Sequence, residues 1–204
     1  MGDDGPRRRL AQRRGMSLSV YPPGADSALL LEATIPVARG VCCEVGVGSG
    51  WVLERLVQRA PAVTTAVGID RISDACTAAA ERMGAMPPLA GIARADRTST
   101  IGGDTIDTLL CNPPYLPAGD PAPDDPIAGA LDAGPDGLSM VEPVLADTPR
   151  ILRSGGHAVI ITSEQTDQTR WAQLVARSPL EWRQRHIRHV GGEALYADVL
   201  RVYD

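Results

Sequence analysis

Lysine and phenylalanine are missing from this 204-residue chain, asparagine occurs once, and aromatic residues make up 3% of it. All 20 basic residues are therefore arginines. The missing residues have codons rich in A and T, whereas Ala, Gly, Pro and Arg abound, so the gaps mark a GC-rich coding sequence and carry no functional meaning. The converse matters more. Against that bias, a lone Asn112 inside a dense motif is read as kept for its chemistry.

Other absences exclude classes of function. No apolar run approaches the roughly 18 residues of a membrane span. The formal charge of −5 implies no bulk basic surface for duplex nucleic acid. Cys42, Cys43, Cys76 and Cys111 lack the paired spacing of a zinc site and read as small, buried hydrophobes of a reducing cytosol, so a cytoplasmic location is expected. His157, His186 and His189 show no ligand spacing either, and no metal is expected. Residues 1–19 are basic but carry no hydrophobic segment of the signal-peptide kind. They read as a disordered tail, with 20–204 as one domain whose 44% hydrophobic content suffices for one core.

Beyond the tail, "GADSALLLEATIPVAR" has a helical apolar pattern that Asp26 can cap. Strands and helices then alternate. "VCCEVGV" and "TTAVGID" are strands, "WVLERLVQRA" follows the first as a helix, and "SDACTAAAERMG" is a helix with Ser73 as a plausible cap. "LAGIARAD", "DTIDTLLCN" and "HAVIIT" are further strands. "LSMVEPVLADTPRILRSGG" and "QTRWAQLVARS" are helices, the first open to a break at Pro143. "WRQRHIRHV" and "EALYADVLRVY" form a terminal strand pair around Gly191 and Gly192. Such alternation of buried strands with helices predicts an α/β, doubly wound, mostly parallel sheet, seven-stranded with its antiparallel hairpin. Glu44 to Gly50, Asp70, Asp96 and Asn112 then fall on one edge, at the strand C-termini where ligands bind. Residues 116–137, rich in Pro, Gly and Asp, read as a substrate-facing loop. Glu193 reads as a surface residue.

"EVGVGSG" ends a strand and opens a helix, but it is not the dinucleotide fingerprint. Trp51 occupies the place of that pattern's third small residue. Nor is there a lysine to make a phosphate-binding P-loop. What remains, Glu44-x-Gly46-x-Gly48-x-Gly50, resembles the first motif of class I S-adenosylmethionine-dependent methyltransferases. The resemblance implies that these glycines let the backbone approach the methionine portion of S-adenosylmethionine. It further implies that Asp70 accepts hydrogen bonds from the ribose hydroxyls, and that Asp96, with Arg97 next to it, lies beside the adenine.

Asn112-Pro113-Pro114-Tyr115 follows the fourth strand, where this class places its catalytic loop. NPPY is the signature of the branch that methylates a nitrogen conjugated to a planar system. Such a nitrogen has a delocalised lone pair and is a poor nucleophile until held with that pair aimed at the methyl group. The Asn112 side-chain carbonyl can accept one N–H of the acceptor and a backbone carbonyl of the proline segment the other. The prolines stiffen the loop and Tyr115 can stack on the planar group.

"DPIAGALDAGPDGLSMVEPVL" resembles the segment after NPPY in the HemK family of glutamine N5-methyltransferases, which act on the Gly-Gly-Gln loop of translation release factors. "VYPPGADSALLLEA" resembles the start of its small, single-domain members, in which the position of Ser27 lies near the cofactor. The implied partners are a release factor as substrate and a small partner subunit. DNA adenine methyltransferases share the tetrad, and two other readings stay open: methylation of a small-molecule nitrogen, and a non-catalytic protein that binds cofactor or RNA through the arginine-rich tail.

Overall fold

Runs of Val, Ile, Leu and Cys without polar alternation have no face to offer water, so they become strands covered on both sides. The computed structural model describes residues 20, 22–84, 90–115 and 133–203. The expected tail, 1–19, and the stretch 116–132 of the expected loop lie outside them. Among the described residues seven strands are present: β1 (Gly40–Val45), β2 (Val63–Asp70), β3 (Ala90–Arg94), β4 (Ile106–Cys111), β5 (Leu152–Ser163), β6 (Leu180–Val190) and β7 (Glu193–Val202). They form one sheet in the order β3-β2-β1-β4-β5-β7-β6. The first five run parallel, and β7 pairs antiparallel with both β5 and β6.

Helices α1 (Ala25–Thr34), α2 (Trp51–Arg59), α3 (Ser73–Met83), α4 (Val141–Ile151) and α5 (Gln168–Arg177) cover the two faces. The two-residue period of a strand divides the core. Leu110, Val159 and Ile161 join the cluster of α1, α2 and α3, whereas Leu109, Cys111, Ala158 and Ile160 join that of α4 and α5. Cys42, Cys43 and Cys111 are free and buried. Burial pushes the Cys43 thiol up to about 12, and that of Cys111 up as well.

Several local expectations give way to longer-range contacts. Asp26 does not cap α1: Gly24 holds the cap position, with its N–H bonded to Ser27 Oγ at 3.3 Å, and Asp26 turns inward. Ser73 does not cap α3, which begins there behind an extended Ile72. The Ile72 N–H is taken instead by Asp70 Oδ1 at 2.9 Å. Pro143 does not break α4, because it lies in the first turn, where a missing N–H costs no intrahelical bond. The proline inside that helix is Pro149. Glu193 is half-buried, and its Oε1 is buried with no hydrogen-bond partner among the described residues.

On β7, the fully buried Asp198 accepts the Trp171 indole N–H at 2.8 Å and both Arg185 Nε and Nη2 at 2.7 and 2.8 Å. The Arg185 guanidinium is itself sandwiched by the Trp182 and Tyr196 rings, 4.7 and 4.5 Å from their centroids. This ties α5 and the β6–β7 hairpin to the sheet. Truncating one member of a buried pair strands the other. Asp198→Ala should therefore lose about 3–5 kcal/mol of unfolding free energy in urea titration; a loss under about 1 kcal/mol would show that the cluster does not hold the hairpin.

Candidate active site

Because β2 and β4 lie on opposite sides of β1, the chain turns in opposite directions there and leaves a crevice beyond the strand C-termini. A cavity of about 560 Å³ fills it. Ser27, Glu44, Gly46, Gly48, Asp70, Asp96, Arg97, Asn112, Pro113, Pro114 and Tyr115 all line it. These include every site position named from the sequence except Gly50.

The glycine loop is built by need for positive φ. Gly46, Gly48 and Gly50 have φ of 77°, 52° and 72°, a region costly for other residues. A Cβ on Gly46 would meet nothing within 4 Å, and one on Gly48 only the Gly46 carbonyl at 4.0 Å. Gly50 differs. Its Cβ would lie 3.0 Å from the Ala79 Cα, so it is glycine because α2 starts against α3. That packing places it behind the cavity wall. The loop is fastened to β2 by Gly46 and Val47 N–H bonds to the Ile69 carbonyl, 2.8 and 3.0 Å, and by the Gly48 N–H bond to Asp70 Oδ2 at 3.0 Å.

Two side-chain oxygens on this cavity, Glu44 Oε2 and Asn112 Oδ1, are buried with no hydrogen-bond partner among the described residues. Such atoms are expensive unless a ligand completes them. Burial pushes the Glu44 carboxyl up to about 8; a backbone hydrogen bond from Leu53 opposes this and the charge of Asp70 adds to it. The wall carries four carboxyl groups, those of Asp26, Glu44, Asp70 and Asp96, against two guanidinium groups, Arg71 and Arg97. Asp96 and Arg97 pair with each other at 2.7 Å. The wall is net acidic, and a cation beside Glu44 would release the proton that burial holds there.

The tetrad is anchored on both sides. Tyr115, 7% exposed, donates its hydroxyl to Asp26 Oδ2 at 3.2 Å, and its carbonyl accepts from Thr166 Oγ1 at 3.2 Å. Sequence reasoning missed Asp26 as a lining residue, since an acid before an apolar run reads as a cap. It also missed Trp51, Arg71, Ile72, Ser139 and Met140. Ile72 follows Asp70 by two, so the strand-end acid was a usable signal. Ser139 and Met140 arrive through tertiary structure alone. No group of three or more His, Cys, Asp or Glu residues suited to a metal is found among the described residues. Nor, among them, is any helix long and apolar enough to cross a membrane.

No family model matches the chain. A release factor glutamine methyltransferase of Caulobacter vibrioides is 32% identical over 121 residues, covering 55% of this chain and 42% of the relative. A protein of Methanocaldococcus jannaschii, provisionally named a protein N5-glutamine methyltransferase, is 29% identical over 73% of this chain and 75% of its own length. The chain thus spans under half of the Caulobacter relative. Among solved structures, that of the E. cuniculi Mtq2–Trm112 complex, responsible for methylation of the eRF1 termination factor, matches with a TM-score of 0.69 at 20% identity, over 91% of this chain and 99% of that one. A ribosomal protein L11 methylase of Lactobacillus delbrueckii matches with a TM-score of 0.62 at 13% identity, over 87% and 77%.

The pH dependence of stability follows from Glu44. Its native value of about 8 lies above the 4.5 of an unperturbed glutamate. Between these values the folded chain holds a proton that the unfolded chain has released, so stability falls as pH rises, by up to about 1.4 kcal/mol per pH unit, and levels off above. Urea titrations of the unmodified protein and Glu44→Gln from pH 5 to 8.5 should diverge over that window. Parallel curves would mean that Glu44 does not hold the proton. In sequence the chain is similar to release factor glutamine methyltransferases, and its fold is that of the class I methyltransferases.

Proposed function

We propose that the chain is an S-adenosylmethionine-dependent N-methyltransferase whose acceptor is the glutamine side-chain amide of a translation release factor. The observation that carries this reading is the buried, unsatisfied Asn112 Oδ1, an acceptor held on a cavity that the glycine loop also lines. The names of the Caulobacter and Methanocaldococcus relatives support the same acceptor. The E. cuniculi complex supports a protein partner of the kind its Trm112 is.

The residues present fit the cofactor. The empty space beside Gly46 and Gly48 is where a Cβ would obstruct a ligand, and Glu44 Oε2 awaits a donor. When bound, S-adenosylmethionine supplies a methyl group on a sulfonium, activated without prior proton transfer. Glu44 would hold its ammonium group, Asp70 its ribose hydroxyls and Asp96 its adenine amine. Ser27 closes the methionine end. Each Asp70 oxygen already takes one backbone N–H and keeps a second lone pair for the ribose.

On the acceptor side, Asn112 takes one N–H of the amide and a carbonyl of Pro113 or Pro114 takes the other. Fixing both hydrogens fixes the nitrogen lone pair toward the methyl group. The Tyr115 ring bounds the slot. The nitrogen would take the methyl group as its bond to the sulfonium sulfur breaks, S-adenosylhomocysteine would leave, and the nitrogen's proton would pass to water with no protein base.

Asn112→Ala should lower kcat on a Gly-Gly-Gln release factor roughly 100-fold, with cofactor affinity by calorimetry nearly unchanged. Retained turnover would remove the role given to Asn112. Asp70→Ala should instead weaken cofactor binding by about tenfold or more, and an unchanged affinity would overturn the ribose assignment.

A further inference from the structure

Asp26 belongs to the first turn of α1 and is 3% exposed. A carboxylate so placed is costly unless its oxygens are engaged. Its Oδ1 accepts the Ser27 N–H at 2.7 Å and lies 3.4 Å from the Ser27 hydroxyl. Its Oδ2 accepts the Tyr115 hydroxyl, 89 residues away, at 3.2 Å. One carboxylate thus touches a residue on the cofactor side and a residue on the acceptor side, and all three line the same cavity.

Both ends of this bridge rest on fixed ground. Arg188 of β6 donates to the Ala25 carbonyl at 3.2 Å and reaches Glu32, holding the first turn of α1. The Tyr115 carbonyl is held by Thr166 and crowded by Gly137, where a Cβ would stand 2.5 Å from it. With its backbone pinned, Tyr115 retains only side-chain rotation. A hydroxyl bonded to a carboxylate removes much of that freedom.

We infer that Asp26 is a positioning residue: through Tyr115 it sets the ring that bounds the acceptor slot, and through Ser27 it links that setting to the cofactor end of the cavity. The inference rests on the methyl-transfer reading above. The ring lies three residues beyond Asn112, so its tilt decides whether a planar amide can lie flat while bonded to the Asn112 carbonyl. Asp26 itself touches neither reacting atom.

The test uses the full chain with 13C-labelled tyrosine, the Tyr115 signal being assigned by its loss in Tyr115→Phe. Asp26→Ala should shift and broaden that signal, whereas Asp26→Asn, which keeps an acceptor oxygen, should restore it. In turnover with a Gly-Gly-Gln release factor, Tyr115→Phe and Asp26→Ala should each lower kcat about tenfold. The double variant should be no slower than Asp26→Ala, and Asp26→Asn should recover most of the rate. S-adenosylmethionine affinity should fall in Asp26→Ala but not in Tyr115→Phe. An unmoved Tyr115 signal, or kcat losses that multiply, would overturn the inference. A shifted signal in a protein that leaves the release factor unmethylated would support the bridge and sink the glutamine reading alone.

Discussion

The Asp70 carboxylate is the joint on which the site hangs. One oxygen takes the Gly48 N–H and the other the Ile72 N–H, so a single side chain at the end of β2 fixes the loop after β1 and the entry to α3. Loops whose backbone sits at positive φ have few contacts of their own to hold them. Here a charge-assisted pair of bonds does so, and the glycine loop stays open toward the cavity instead of collapsing into it.

Around that joint the cavity divides into two chemical ends. Near Glu44 the requirement is for a donor carrying positive charge, because a buried carboxyl shifted to about 8 gains most from a cation. Near Asn112 the requirement is for a neutral donor, met by an uncharged amide oxygen beside two prolines. A ligand pair in which one member is cationic and the other a neutral N–H donor satisfies both. Neither end could be exchanged for the other without stranding a buried oxygen.

Much of this was legible in the sequence because it is local. Unalternating apolar runs fixed the strands of the parallel sheet, and the Gly46–Gly48 spacing and the lone Asn112 marked the strand ends that line the cavity. What escaped notice depends on partners distant in the chain. In sequence Asp26 looks like a helix cap, because its partner Tyr115 is 89 residues on. Gly50 looks like its neighbours, although Ala79 of α3 adds a steric bar to a side chain there. The joining of Asp198, Trp171 and Arg185 has no signature in composition or period, since a buried carboxylate looks like any other aspartate until the fold closes over it.

The anchoring of α1 by Arg188, 163 residues downstream, has a consequence for the order of assembly. α1 packs on β5, β6 and β7 as well as on α2, so the platform carrying Asp26 and Ser27 is completed by elements made long after it. The nascent chain can form the glycine loop and its strand early. It cannot seat the front wall of the cavity until the hairpin has docked, a long loop closure of the slow, non-local kind. Competence to bind ligand therefore waits on the docking of that hairpin.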